Sequence, residues 1–306
     1  MTLLRRRLLL ALGATVFALV LGEITARIAL PLMPDPPGTG WLGDEHCGYR
    51  LRPVEPGEVP EDHDSHINTL GFRDRNHAPT PGPGVHRVIG LGDSFIYGVV
   101  PIAENFMKVT EDELNAAGLP AETVLAGVPG WHGGNQAGWL EHTGLGLQPD
   151  LVVLNYFVGN DVTGLAVGGR VIRGTLYPTT SPQPLRHFLR KSVLFLMVET
   201  QLWLPLRHRV SPPEERIPPP DDAPIDDLYL YIASQYIPVF EREPDDRTAE
   251  LWDESLGHLD RIDAMCREAG VPWLLVLIPD EMQVDPVVRD QVLARLDLDG
   301  AAYDFD

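Results

Sequence analysis

The apolar positions of this chain fall into short runs separated by helical patterns. Val88, Ile89 and Leu91 form a brief run bounded by turn residues, and Leu151 to Phe157 is a nearly continuous one behind Pro149 and Asp150. Such runs predict strands of a parallel sheet, which are buried on both faces. Thr123 to Ala126 and Trp273 to Ile278 predict two more. Between them the apolar residues recur at helical spacing. Glu104 to Gly118 carries Phe106, Val109 and Leu114, with Gly118 as its stop; further helices are predicted near Gln136 to Leu145, from Thr248 to Ala269 with Gly270 closing it, and over Val287 to Leu296. Strands alternating with helices predict an α/β fold, a parallel sheet joined by right-handed crossovers.

Two regions break the alternation. After Asn160 the pattern is irregular: Leu185 to Leu206 is helical and apolar on much of its surface, and Pro212 to Pro224 is a proline-rich acidic loop. This reads as an insertion, about residues 162–245, lying over the carboxyl ends of the strands like a cap, with Val193 to Leu206 packed against the domain and contact with membrane or lipid as the alternative. The other region is the start. Arg5, Arg6 and Arg7 precede an uncharged run from Leu8 to Gly22, and Ile24, Ala26, Ile28, Ala29 and Leu30 extend the apolar character past Glu23 and Arg27, a pair four residues apart. Residues 1–33 therefore read as a signal anchor left uncleaved, with a cleaved signal peptide as the alternative, and the positive-inside rule places the rest outside the cytoplasm. Residues 34–84 are a Pro- and Gly-rich tether with an ordered stretch around Ile67 to Arg73, and residues 85–306 form the main domain.

Charge narrows the choice of partner. The formal net charge is −20, and the chain beyond residue 33 holds 20 basic against 43 acidic residues, which argues against a nucleic-acid partner. Cys47 and Cys266 are the two cysteines, too few for a disulfide framework or a cysteine zinc site, and the ten histidines are scattered without ligand spacing. The Gly-rich turn at 127–134 lacks the Lys and Ser/Thr of a phosphate loop, so neither metal nor nucleotide cofactor is expected.

The candidate chemistry lies at three strand ends. Ser94 follows the first strand in G-L-G-D-S-F-I-Y-G, Gly130 the second in V-P-G-W, and Asn160 the third in V-G-N-D. Acyl transfer needs these types: a hydroxyl to attack a carbonyl, a glycine whose backbone N–H can approach unhindered, and an uncharged amide donor for the oxyanion. Taken singly, Ser94 could be an N-cap, Gly130 a turn and Asn160 a helix cap. Together, G-D-S-F-x-x-G at 92–98, G-V-P-G-W at 127–131 and P-D-L-V-V-L-x-x-x-x-G-N-D at 149–161 resemble the SGNH (GDSL) hydrolase family over about Arg87 to Ile278, the insertion excluded. The resemblance implies a three-layer α/β/α sandwich of flavodoxin-like order. It further implies Ser94 as nucleophile, with its own N–H, the Gly130 N–H and the Asn160 amide as oxyanion hole. The anchor and the insertion resemble exported members, relatives of polysaccharide O-acetyltransferases among them.

One family element is not found. The histidine base comes from a D-x-x-H near the carboxyl terminus, and the one D-x-x-H here is Asp74 to His77, ahead of the nucleophile; His132, two residues past Gly130, is the other candidate. The expectation is a chain lacking its last strand, base loop and closing helix, with one sheet edge exposed and little esterase activity. The functions implied are an exported serine esterase acting on a small acyl ester or acylated glycan, an O-acetyltransferase working through the same serine, or a non-catalytic binding protein on the same fold.

Overall fold

A computed structural model of the chain describes residues 3–33, 35, 40–61, 63–163, 169–178, 184–199, 225 and 227–305. In chain order its elements are α1 (Leu3–Ala29), β1 (Trp41–Asp44), β2 (Gly48–Leu51), β3 (His86–Gly92), α2 (Ser94–Tyr97), α3 (Phe106–Ala116), β4 (Ala121–Gly127), α4 (Gly133–Trp139), β5 (Leu151–Phe157), α5 (Val158–Thr163), β6 (Gly169–Ile172), β7 (Thr175–Pro178), α6 (Pro184–Leu189), α7 (Val193–Val198), α8 (Asp227–Tyr236), α9 (Asp246–Ala269), β8 (Trp273–Ile278), α10 (Glu281–Val284) and α11 (Pro286–Leu296). The chain divides into two compact units, 1–43 with 168–216 and 44–167 with 217–306.

The larger unit is an α/β sandwich. Its four parallel strands run in the order β4-β3-β5-β8. From β3 the chain first steps outward to β4, then returns past β3 to β5 and continues to β8. Right-handed crossovers put helices on opposite faces when the direction of travel reverses. Accordingly α3 packs on β4, while α4 and α9, from the two return crossovers, pack on each other. The reversal falls between β3 and β5, and open α/β sheets form their ligand crevice outside the carboxyl ends of the strands at such a switch point. Ile89, Leu91, Val124, Leu125, Val152 and Leu154 are buried along β3, β4 and β5, as their apolar runs require. β8 is different: of the two edge strands, β4 is covered by α3, whereas β8 leaves Leu274 55% and Leu277 62% exposed.

Before the sheet, residues 64–77 are ordered by charge. Asp74 and His77 have fully buried side chains, joined Oδ2 to Nε2 at 2.8 Å. The Asp74 carboxylate also accepts from Leu125 N–H of β4 at 2.9 Å and pairs with Lys108 of α3 at 2.8 Å. Lys108 donates to the Thr123 carbonyl at 2.8 Å, and Glu111 accepts from both the N–H and the hydroxyl of Thr123. Burial alone would raise the Asp74 carboxyl, but His77 and Lys108 hold it below its ordinary range.

The smaller unit is built on α1. Leu30 packs with Ile172 and Tyr177 of the β6–β7 hairpin and with Val193 and Leu196 of α7. Glu23 and Arg27 pair at 2.6 Å, as their spacing suggests. Of the segment read as an insertion, 169–199 belongs to this unit where described and 227–240 to the larger one. Leu202 to Leu206 and the Pro212 to Pro224 loop lie outside the described residues. Cys47 and Cys266 are both buried and free.

Candidate active site

The first site element is a single helical turn at the end of a strand. β3 stops at Gly92, Asp93 turns the chain, and its carboxylate accepts the Phe95 N–H at 2.9 Å, capping α2 so that Ser94 opens the helix. Ser94 is exposed. A four-residue helix is not stable by itself, and α2 is held from both sides. Below it, the buried Ile96 sits on Gly92 and Gly127, which are register partners in β3 and β4. A Cβ on Gly127 would stand 2.4 Å from Ile96 Cβ and 2.8 Å from the Asp93 carbonyl oxygen; one on Gly92 would stand 2.7 Å from Ile96 Cγ1. Above it, the guanidinium of Arg73 donates to the carbonyls of Tyr97, Gly98 and Val100 at 3.2, 3.0 and 2.8 Å. Asn105 Nδ2 donates to the Ile96 carbonyl at 3.0 Å.

The second element arrives from the neighbouring strand. β5 runs directly into α5, which places Asn160 beside the end of β3, and Asn160 Nδ2 donates to Asp93 Oδ2 at 2.6 Å. Asp93 thus joins two sites, capping the serine's helix with one oxygen and fixing the asparagine amide with the other. One amide hydrogen of Asn160 is engaged in this way and the second is left for another acceptor. Burial pushes the Asp93 carboxyl up, and the Phe95 and Asn160 donors work against that. Next to Asn160, the buried Asp161 accepts from Phe157 N–H at 2.8 Å and from Gln136 Nε2 at 3.3 Å. Burial, and then the charge of Asp93, raise its carboxyl well above the ordinary range.

Gly130 lies in the turn after β4 with φ +82°, a conformation that favours glycine. The three residues singled out from the sequence therefore stand at the carboxyl ends of three adjacent strands. Ser94 and Asn160 are connected through Asp93, and among the described residues no hydrogen bond joins Gly130 to either. Phe95 and Phe157 lie 5.0 Å apart and Phe157 meets Tyr236 edge-on at 5.7 Å, giving the serine an apolar flank.

The histidines named from the sequence have other work. His77 is enclosed in the ionic cluster on Asp74 and its side chain is fully buried. His132 caps α4, its Nδ1 accepting from Gly134 N–H at 3.2 Å, and its ring lies 6.0 Å from that of His258. Burial, followed by the neighbouring His258, keeps His132 below the usual imidazole range. Among the described residues, no histidine is hydrogen-bonded to Ser94. The sequence reading missed Asp93, Arg73 and Asp161 as parts of the site. For the two aspartates the signal was present, since each adjoins a singled-out residue in G-D-S or G-N-D; Arg73 carries no such mark.

No protein-family model and no curated protein matches the chain. Among solved structures it is similar to the lipase/acylhydrolase from Enterococcus faecalis, at 14% identity over 66% of this chain and 81% of the other, with a TM-score of 0.28. It is also similar to AlinE4, described as an SGNH-hydrolase family esterase, at 15% identity over 70% of this chain and 96% of that one, with a TM-score of 0.24. Likeness at this level assigns neither a family nor a function.

Proposed function

We propose that the chain is a serine acyl hydrolase of the SGNH type, attached to a membrane through α1, that cleaves an acyl ester at Ser94. The observation that supports this most is the coupling of Ser94 to Asn160 through Asp93 at the switch point of the sheet. A nucleophile needs an oxyanion donor whose position does not change as charge develops, and Asp93 fixes the Asn160 amide relative to the helix that carries the serine. In this reading the Ser94 hydroxyl gives its proton to solvent as it attacks the ester carbonyl, and the oxyanion is met by the free Asn160 amide hydrogen and the N–H groups of Ser94 and Gly130. The adduct expels the alcohol, which takes up a proton, and water then releases the acid from the acyl-serine. The acyl group lies along Phe95 and Phe157. An α1 span of Arg5–Ala29 is long and apolar enough to cross a membrane, and export of the remainder follows from the arginines ahead of it. Whether water or a sugar hydroxyl takes the acyl group separates hydrolase from O-acetyltransferase, and product analysis with an oligosaccharide acceptor distinguishes them.

The test uses p-nitrophenyl acetate with and without added imidazole. With no histidine at Ser94 among the described residues, unassisted turnover is expected to be slow, short of the ~10²–10⁴ that a positioned base supplies. Once the cleavage by imidazole alone is subtracted, imidazole from solution should raise the rate in the wild type, less in Asn160→Ala, and not in Ser94→Ala. Equal stimulation of the wild type and Ser94→Ala would refute the reading.

A further inference from the structure

We infer that the smaller unit carries a second membrane contact: α6 and α7 lie at the headgroup–acyl boundary of an anionic bilayer, alongside α1. This rests on the reading of α1 as a membrane span and extends it to a part of the chain far away in sequence.

The depth follows from where α7 is attached. Glu23 of α1 accepts from Ser192 Oγ at 2.7 Å and from the Val193 and Leu194 N–H groups at 3.1 and 2.9 Å. Arg27 donates to the Lys191 carbonyl at 3.0 Å. Both charges that interrupt the apolar helix are thus satisfied, and the start of α7 is fixed at the level of Glu23. Gly22 lies at the same level, where an added Cβ would come 3.0 Å from Leu194 Cδ2. At ~1.5 Å per residue, the 25-residue span Arg5–Ala29 is about 36 Å long, and Glu23 is about 9 Å from its end. Centred on a hydrocarbon core of ~30 Å, the span puts the start of α7 about 6 Å inside the boundary. Interfacial helices lie ~5–10 Å into that zone.

The surface suits that location. Val193 and Leu196 face the core of the unit, whereas Leu185 and Phe188, three residues apart on one side of α6, are 71% and 67% exposed. Leu32 and Met33, just past α1, and Val198 of α7 are exposed as well, continuing the bare apolar surface of α1 itself. The charge agrees. Apart from Arg5, Arg6 and Arg7 at the far end of α1, the described residues of 1–43 and 168–216 include six basic against three acidic, while those of the rest of the chain include 12 against 34. Basic residues beside a membrane helix attract anionic lipid headgroups. Lys191 and Arg170 are exposed and placed to meet them, while Arg186 and Arg190 pair with Glu199.

The experiment uses the full chain, with Cys47 and Cys266 replaced by alanine, reconstituted in phosphatidylcholine–phosphatidylglycerol vesicles. An environment-sensitive fluorophore is attached to a single cysteine at Phe188→Cys, at Phe17→Cys within α1, or at Asp112→Cys on the exposed side of α3. The label at 188 is expected to emit to the blue and to be quenched by chain-brominated lipid, as at 17, while the label at 112 does neither. Omitting phosphatidylglycerol should weaken quenching at 188 and leave 17 unchanged. Quenching at 17 with an aqueous signal at 188 sinks the second contact and leaves the anchor standing. Aqueous signals at both positions sink the anchor, and the inference with it. Quenching at 188 that is indifferent to phosphatidylglycerol overturns the preference for an anionic surface.

Discussion

Asp161 is a carboxyl group surrounded by two donors, a neighbouring acid and little water. Its raised pKa means that the folded state holds a proton the unfolded chain releases near pH ~3.9. Stability therefore falls as pH rises from about that value toward the folded one, the reverse of an ion-paired aspartate. Asp161→Asn removes the effect while keeping an acceptor for the Phe157 N–H. The buried Gln136 Oε1, which has no partner among the described residues, can then accept from the new amide once the Gln136 side chain turns over. The substitution is expected to leave stability at neutral pH unchanged or higher and to flatten its decline above pH ~4, measured as urea midpoints across a pH series. A large loss at every pH would show that the carboxylate itself is needed. Of these site residues the sequence displayed Ser94, Gly130 and Asn160, each in a short motif at a strand end. It could not display Asp93 as the bridge between two motifs, because that role exists only when residues 93 and 160, far apart in the chain, are brought to adjacent strand ends.

At the level of elements, two contacts decide whether α2 and its surroundings form. Gly127→Ala places a methyl against Ile96 and the Asp93 carbonyl, and backbone cannot move aside as a flexible side chain can. Overpacking of this kind costs ~1–3 kcal/mol. Here it should also tilt the serine, so activity is expected to fall by more than the melting temperature alone would suggest. Lys108→Met tests the ionic cluster. It leaves Asp74 buried with a lost partner, a change that costs ~3–5 kcal/mol, and the loss should shrink at low pH as Asp74 becomes protonated. Calorimetry on both sides of pH ~4 checks it; a loss that persists undiminished in acid would mean packing dominates. The strands were legible because buried parallel strands read as apolar runs, and Leu151–Phe157 and Trp273–Ile278 form over the predicted residues. The β6–β7 hairpin was not. Its turn places Arg173 at φ +51° beside Gly174 at +68°, where an Asn-Gly or Asp-Gly pair would have announced it. The D-x-x-H at 74–77 is a related case: spacing alone does not distinguish a catalytic pair from a buried structural one such as Asp74 and His77 form.

For the molecule as a whole, the sheet has an asymmetric periphery. β4 is flanked by α3 and the ionic cluster, while β8 presents Leu274, Leu275, Val276 and Leu277 at a sheet edge with no charged residue among them. Edges of this kind recruit other strands. The 306-residue chain is expected to self-associate through β8, and Leu275→Lys with Leu277→Lys should raise the monomeric fraction in light scattering without changing the helical signal in circular dichroism. Unaltered association would point to another surface.

The seat of Ile96 on Gly92 and Gly127 has a consequence for how this protein tolerates change. The Ser94 hydroxyl is exposed, yet its direction is set by an isoleucine and two glycines that have no chemistry of their own. In a library of random variants screened for ester cleavage, the inactive clones should concentrate at these three positions nearly as densely as at Ser94. A map of mutational sensitivity would then mark the floor beneath Ser94 as clearly as Ser94 itself.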